Sequence, residues 1–137
     1  MRRRLILALL AVLLFAAGSP RASAITVDDW LDVAVADATI EYGGTAYADC
    51  GARKVRNPEA CRRDISAAIA VARVARAKLA VAAELPTLVP VKGGEYMINS
   101  GHTNAIAGGK DILAQADALL QGAYRFHFGA SGQRKAP

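Results

Sequence analysis

Between Arg21 and Ala136, proline occurs only at positions 58, 86 and 90, and this spacing constrains the fold more than any motif in the chain. Proline breaks a helix from inside but is accepted in the first turn. The chain is therefore cut into long proline-free stretches, each carrying apolar residues at helical spacing. Asn57-Pro58-Glu59 reads as an N-cap, a first helical position and an acidic first turn. Behind it, Cys61, Ile65, Ile69, Ala72, Leu79 and Ala83 share one face, with Val71, Val74 and Val81 on an adjacent one, so a helix is expected over about 58–84. Pro86 and Pro90 stop it. Leu88, Val89 and Val91 then form a short extended connection, expected to lie over the core.

The stretch before Pro58 predicts a helix over about 26–42. Thr26 is placed to cap it with Asp29 three residues on, and Asp28, Asp29 and Asp32 crowd the end where the helix dipole favours negative charge. Val27, Trp30, Leu31, Ala34 and Ala38 form its apolar stripe, and Gly43-Gly44 ends or kinks it, with Thr45–Asp49 available for one more turn. After a polar, glycine-containing loop from Lys92 to His102, a third helix is expected over about 103–126. Its stripe is Ile106, Ile112, Leu113, Ala116, Leu119, Leu120 and Ala123, its cap Thr103 or Ser100, and Gly108-Gly109 a local irregularity. The fold class that follows is all-α, a small three-helix antiparallel bundle (about 26–42, 58–84 and 103–126). An alternative has the first helix loosely docked and Trp30 anchoring a dimer.

The N-terminus reads as an export signal. Arg2, Arg3 and Arg4 precede an apolar run from Leu5 to Ala17, and Gly18, Pro20 and Ala22-Ser23-Ala24 complete the order of a signal peptide cleaved before Ile25. The run is shorter than the roughly 20 residues of a spanning helix, so no transmembrane span is expected after cleavage. The resulting organisation is a signal peptide over 1–24, a helical domain over 25–128 and a disordered tail over 129–137, in a secreted or periplasmic protein. Four arginines leave with the signal, so the 17 Lys and Arg of the chain fall to 13 against 12 Asp and Glu, a net charge of +1 instead of +5. That near-neutral balance speaks against nucleic acid as a partner, which needs a basic stripe in the folded domain.

Cys50 and Cys61 are the only cysteines. Export places them where disulfides persist, and a bridge between them would close a loop of about a dozen residues, worth roughly 3 kcal/mol on the chain-entropy model. No third ligand sits near them for zinc, and their spacing is neither that of a redox CxxC nor that of a haem attachment site.

Candidate site residues fall into two groups. Asn99, Ser100, His102, Thr103 and Asn104 gather at the start of the third helix, where free backbone amides attract anions; the competing reading is a helix cap with His102 facing water. The stretch ending Gly108-Gly109-Lys110 fails as a phosphate loop, because Asn104 stands where the first glycine belongs and Asp111 where a hydroxyl would hold magnesium. No nucleotide or other cofactor is expected. The second group is cationic: Arg53, Lys54 and Arg56, with Arg62 and Arg63, surround the cysteine loop. They are positioned either to meet an anionic envelope surface or acidic protein partner, or to neutralise the acidic first helix within the fold, and the second reading is the more economical.

These features predict an exported, non-enzymatic helical protein that acts by binding. Two alternatives are carried beside it. One is a small exported hydrolase using His102, although no GxSxG elbow surrounds Ser100; the other is a carrier of a small apolar ligand between the helices.

Overall fold

The computed structural model describes residues 27–129; the expected signal peptide, the Thr26 cap and the tail beyond Gly129 lie outside them. Helix α1 spans Val27–Ala52, α2 Pro58–Ala83 and α3 Ser100–Phe128, with two short strands, β1 (Leu88–Pro90) and β2 (Tyr96–Ile98), between α2 and α3. The helices form the expected three-helix antiparallel bundle. Helix α2 is its middle member, since α1 and α3 both pack chiefly on α2 and much less on each other.

Helix α2 begins where proline chemistry places it. Asn57 accepts a hydrogen bond from the Ala60 amide at 3.0 Å, and Pro58 occupies the first turn, where a missing N–H leaves nothing unsatisfied. Its buried face is Cys61, Ile65, Ala68, Ala72, Ala75, Leu79, Ala82 and Ala83. Val74 and Val81, assigned to an adjacent apolar face, are exposed instead. Helix α3 starts earlier than its hydrophobic stripe, because Asn99, not Ser100 or Thr103, caps it: the Asn99 side chain accepts from the Gly101 amide at 3.1 Å.

The largest departure from expectation is α1. It runs straight through Gly43-Gly44 and ends ten residues beyond the predicted boundary of 42, at Ala52. Its buried positions are Asp29, Val33, Ala36, Gly43, Ala46 and Cys50, whereas Trp30, Leu31, Ala34 and Ala38 of the predicted stripe are exposed. The reason is close approach. A Cβ on Gly43 would stand 2.6 Å from Ile69 Cγ1, so glycine is present there to let α2 in, not to break the helix. Gly109 does the same on α3, where a Cβ would meet Leu79 Cγ at 2.7 Å, and α3 shows no irregularity there. Gly44 and Gly108 face open space.

This contrast yields a matched test. Alanine at Gly44 or Gly108 is expected to raise the melting temperature, since it gains helix propensity of about 1 kcal/mol without touching anything. Alanine at Gly43 or Gly109 should lower it, because overpacking against fully or half-buried side chains costs about 1–3 kcal/mol. Thermal melts of the single variants check the opposite signs.

The core is divided along the bundle axis. One cluster, around the disulfide, contains Ala46, Cys50, Cys61, Ile65, Ala68, Leu120 and Tyr124. The other, towards the opposite end, contains Val33, Ala36, Ala75, Leu79 and Leu113. The Cys50–Cys61 bridge is formed as expected and ties the end of α1 to the first turn of α2, with both cysteines fully buried.

The connection after α2 does not lie over the core. Leu88–Pro90 pairs antiparallel with Tyr96–Ile98, in the register Leu88↔Ile98, Val89↔Met97 and Pro90↔Tyr96. Gly93 and Gly94 close the hairpin in the left-handed region, at φ 102° and 79°, which explains the glycine pair at that point. Most of the hairpin is exposed.

Candidate functional site

The bundle has two polar ends, and the candidate residues divide between them. At the hairpin end, Asn99 is a structural joint. Besides capping α3, its Nδ2 donates to the Pro86 carbonyl at 2.8 Å and its backbone N–H to the Thr87 carbonyl at 2.8 Å, fastening α3 to the strand connection. Thr103 Oγ1 donates back to the Asn99 carbonyl at 3.4 Å, and Ser100 is exposed. Asn104 lies apart from these, on the rim of an open groove of about 450 Å³ between α2 and α3, lined by Ala77, Lys78, Val81, Ala105 and Gly108 among others.

His102 does not face water. It is 8% exposed, and its Nε2 lies 2.8 Å from Oδ2 of Asp29, which is 7% exposed. The ring N–H donates to the carboxylate and joins the starts of α3 and α1 across the bundle. Asp29, read from the sequence as a dipole partner, is therefore a specific hydrogen-bond partner. The pair lines no part of the groove, and Ser100 is not among its partners. The five polar residues at the start of α3 thus serve a cap, a strand joint, a buried cross-link and a groove rim, with no shared centre.

The second end is built on aromatic rings. Tyr124 is fully buried, its ring 6.0 Å from that of Tyr42 and 4.5 Å from that of Phe128. Arg53, just past the end of α1, donates from Nη1 to the Tyr124 hydroxyl at 2.9 Å and lays its guanidinium 5.2 Å from the Phe128 ring centre. Arg62 sits over Tyr47 at 5.8 Å. Two cations are thereby held on ring faces, which orient them without neutralising their charge. Lys54 and Arg56, between them in sequence, are exposed and make no ion pair among the described residues.

Close by, His127 Nε2 lies 2.8 Å from Asp64 Oδ2, with the histidine side chain only 4% exposed, so this imidazole is anchored in the last turn of α3. The hydrogen bond from His127, followed by its charge and that of Arg63, holds the Asp64 carboxyl below its ordinary range.

The carboxylates at the start of α1 are too far from the cationic loop to neutralise it as expected; of the α1 carboxylates, Asp49 is the one that lies at that end, one turn before Arg53. Asp32 and Arg53 are about 30 Å apart along the helix at 1.5 Å per residue. Three carboxylates of α1 are engaged elsewhere: Asp29 by His102, Asp32 by Lys110 at 4.0 Å and Asp37 by Arg76 at 2.8 Å. A helix long enough to run through Gly43-Gly44 separates the two charge clusters. Among the described residues no group of three or more His, Cys, Asp or Glu side chains is arranged to hold a metal ion, and no helix is long and apolar enough to cross a membrane.

No protein-family model matches the chain, and neither a curated protein nor a solved structure matches it.

Proposed function

We propose that this is an exported, non-enzymatic protein that acts by binding, and that its binding surface is the cationic end around the Cys50–Cys61 bridge, directed at an anionic envelope surface. The observation that carries the reading is the segregation of charge. Lys54 and Arg56 stand exposed, between ring-held Arg53 and Arg62 in sequence, while Asp29, Asp32 and Asp37 are engaged further along α1. A disulfide beneath this end keeps the loop rigid, so its charges are presented with little ordering cost. Phe126, 82% exposed on the last turn of α3 beside Arg125, supplies an apolar contact of the kind that accompanies cations at a lipid interface. The disulfide agrees with an oxidising compartment.

The hydrolase alternative centred on His102 is the less supported, because the imidazole is spent on Asp29 in the interior.

Cosedimentation with vesicles tests the proposal. The protein is expected to bind vesicles rich in phosphatidylglycerol, to ignore phosphatidylcholine and to be released by salt, since each exposed basic residue contributes about 1 kcal/mol near such a surface. The double change Lys54→Glu with Arg56→Glu should abolish the binding, with helicity and melting temperature unchanged. Equal binding to neutral vesicles, or binding indifferent to the charge reversal, refutes it. Capture of an acidic protein by a chain that ignores both vesicles redirects the surface to that partner.

A further inference from the structure

We propose that the hairpin is a homodimerisation edge, through which two copies of this chain join β2 to β2 into one continuous sheet. The inference concerns the end of the bundle opposite the cationic surface and does not rest on its function.

The ladder shows which backbone groups are free. Val91 N–H donates to the Glu95 carbonyl and Asn99 N–H to that of Thr87, so Val91/Glu95 and Thr87/Asn99 are hydrogen-bonded pairs. Alternation in an antiparallel ladder makes Val89/Met97 the bonded pair between them, and Leu88/Ile98 and Pro90/Tyr96 the non-bonded ones. The N–H and C=O groups of Tyr96 and Ile98 therefore point away from β1, and no other described residue bonds them. The outer edge of β1 is the poorer template, because Pro90 has no N–H to offer.

The side chains repeat the pattern. Directly opposed residues share a face, so Leu88, Pro90, Tyr96 and Ile98 lie together on one side of the hairpin. Leu88 is 50% exposed, Tyr96 68% and Ile98 70%, and Met97 on the other side is 55% exposed. A two-stranded hairpin is marginal in water, and an exposed apolar edge is a template for another strand. This hairpin packs mainly on itself.

The occupant follows from symmetry. Met97 is the middle residue of β2, with the two outward-facing residues placed evenly on either side. An antiparallel copy with Met97 on the two-fold axis sets Tyr96 opposite Ile98 of the second copy, and Ile98 opposite its Tyr96. Every outward N–H then finds a carbonyl. The facing pairs are aromatic against β-branched, a favourable cross-strand combination. The charged residue adjoining β2, Glu95, falls opposite Asn99 and not opposite a like charge. Such self-complementarity is what an isologous interface requires. At about 200 Å² per fully exposed large side chain, the four exposed side chains present roughly 500 Å² of apolar surface per copy, of which edge-to-edge pairing covers only part. This is below the ~800 Å² per partner of a standard stable interface. The dimer is accordingly a reversible one.

The test uses the full, disulfide-bridged protein. Sedimentation equilibrium should show a monomer–dimer equilibrium, shifted at least tenfold towards monomer by Ile98→Lys, with Tyr96→Lys as a second variant should the first disturb the hairpin. Met97→Cys places the only free thiol on the axis, where a non-bonded antiparallel pair brings the two Cα atoms to about 4.5 Å. Mild oxidation of that variant should give a disulfide-linked dimer joined through position 97. Val81→Cys on α2, at 66% exposure against 55% for Met97, should cross-link far less. A chain that stays monomeric overturns the proposal, whether the face then takes an extended peptide of another protein or a lipid surface. So does a dimer indifferent to both lysine variants, or equal cross-linking at positions 81 and 97.

Discussion

Replacing His102 with alanine is expected to destabilise the bundle by about 3 kcal/mol, the cost of leaving a buried carboxylate acceptor without its donor. The Asp29 carboxylate is 7% exposed, and it accepts from the imidazole at 2.8 Å. Without that ring the carboxylate is left in the interior with no donor or draws water into the gap, and either course weakens the folded state. For a domain with a net stability of about 5–15 kcal/mol, the loss brings folding near its limit. Asp29→Ala should be similarly harmful. Replacing both residues with leucine removes the polar groups together and should recover much of the loss. Urea melts of the parent and the three variants decide this. A single-variant loss under about 1 kcal/mol, or a double variant no better than the singles, would refute the assignment of the pair as a buried cross-link.

Removing the bridge is the second large effect. Cys50→Ala with Cys61→Ala should lose roughly 3 kcal/mol, because the unfolded chain regains the freedom of a loop of about a dozen residues. Alanine is the better replacement here, since both cysteines are fully buried and serine would bring unsatisfied hydroxyls into the cluster with Ile65 and Tyr124. At about 4 °C or more per kcal/mol, the melting temperature should fall by more than about 10 °C. Far-UV circular dichroism below the transition should keep its helical signal. A melting temperature within about 3 °C of the parent would show that packing alone fixes the joint between α1 and α2.

How much of the fold is legible in the sequence depends on what kind of side chain carries the information. Helix α2 is read to within a residue of its observed end, because Ile65 and Leu79 mark its face and Asn57-Pro58 marks its start. Helix α1 is read too short and on the wrong face. Its buried stripe includes Ala36, Gly43 and Ala46, residues that fit closely against α2 because they are small, and hydrophobic periodicity is blind to smallness. The louder residues, Trp30 and Leu31, are outside. The hairpin escapes sequence reasoning because three-residue strands are too short for alternation to register, and two prolines in and beside one of them argue for a plain connection.

At the candidate site, the cationic cluster can be read from composition, but its supports cannot. Arg53 meets Tyr124 across 71 positions and Asp29 meets His102 across 73. Nothing local announces either pairing. Tyr124 does leave a trace, since it follows Leu120 by one helical turn and so continues the third stripe beyond Ala123, where the expected stripe ends.

The central place of α2 has a consequence for motion. Because α1 packs chiefly on α2 and only sparsely on α3, it can part from the other two as a unit without disrupting the contact between them. The disulfide leaves such an opening hinged at Cys50, so the displaced helix stays tethered and re-docks as an intramolecular event. Amide hydrogen exchange should therefore resolve two cooperative units. The amides of α1 would exchange together at a lower free energy of opening than those of α2 and α3, with the last turn before the bridge the slowest within α1.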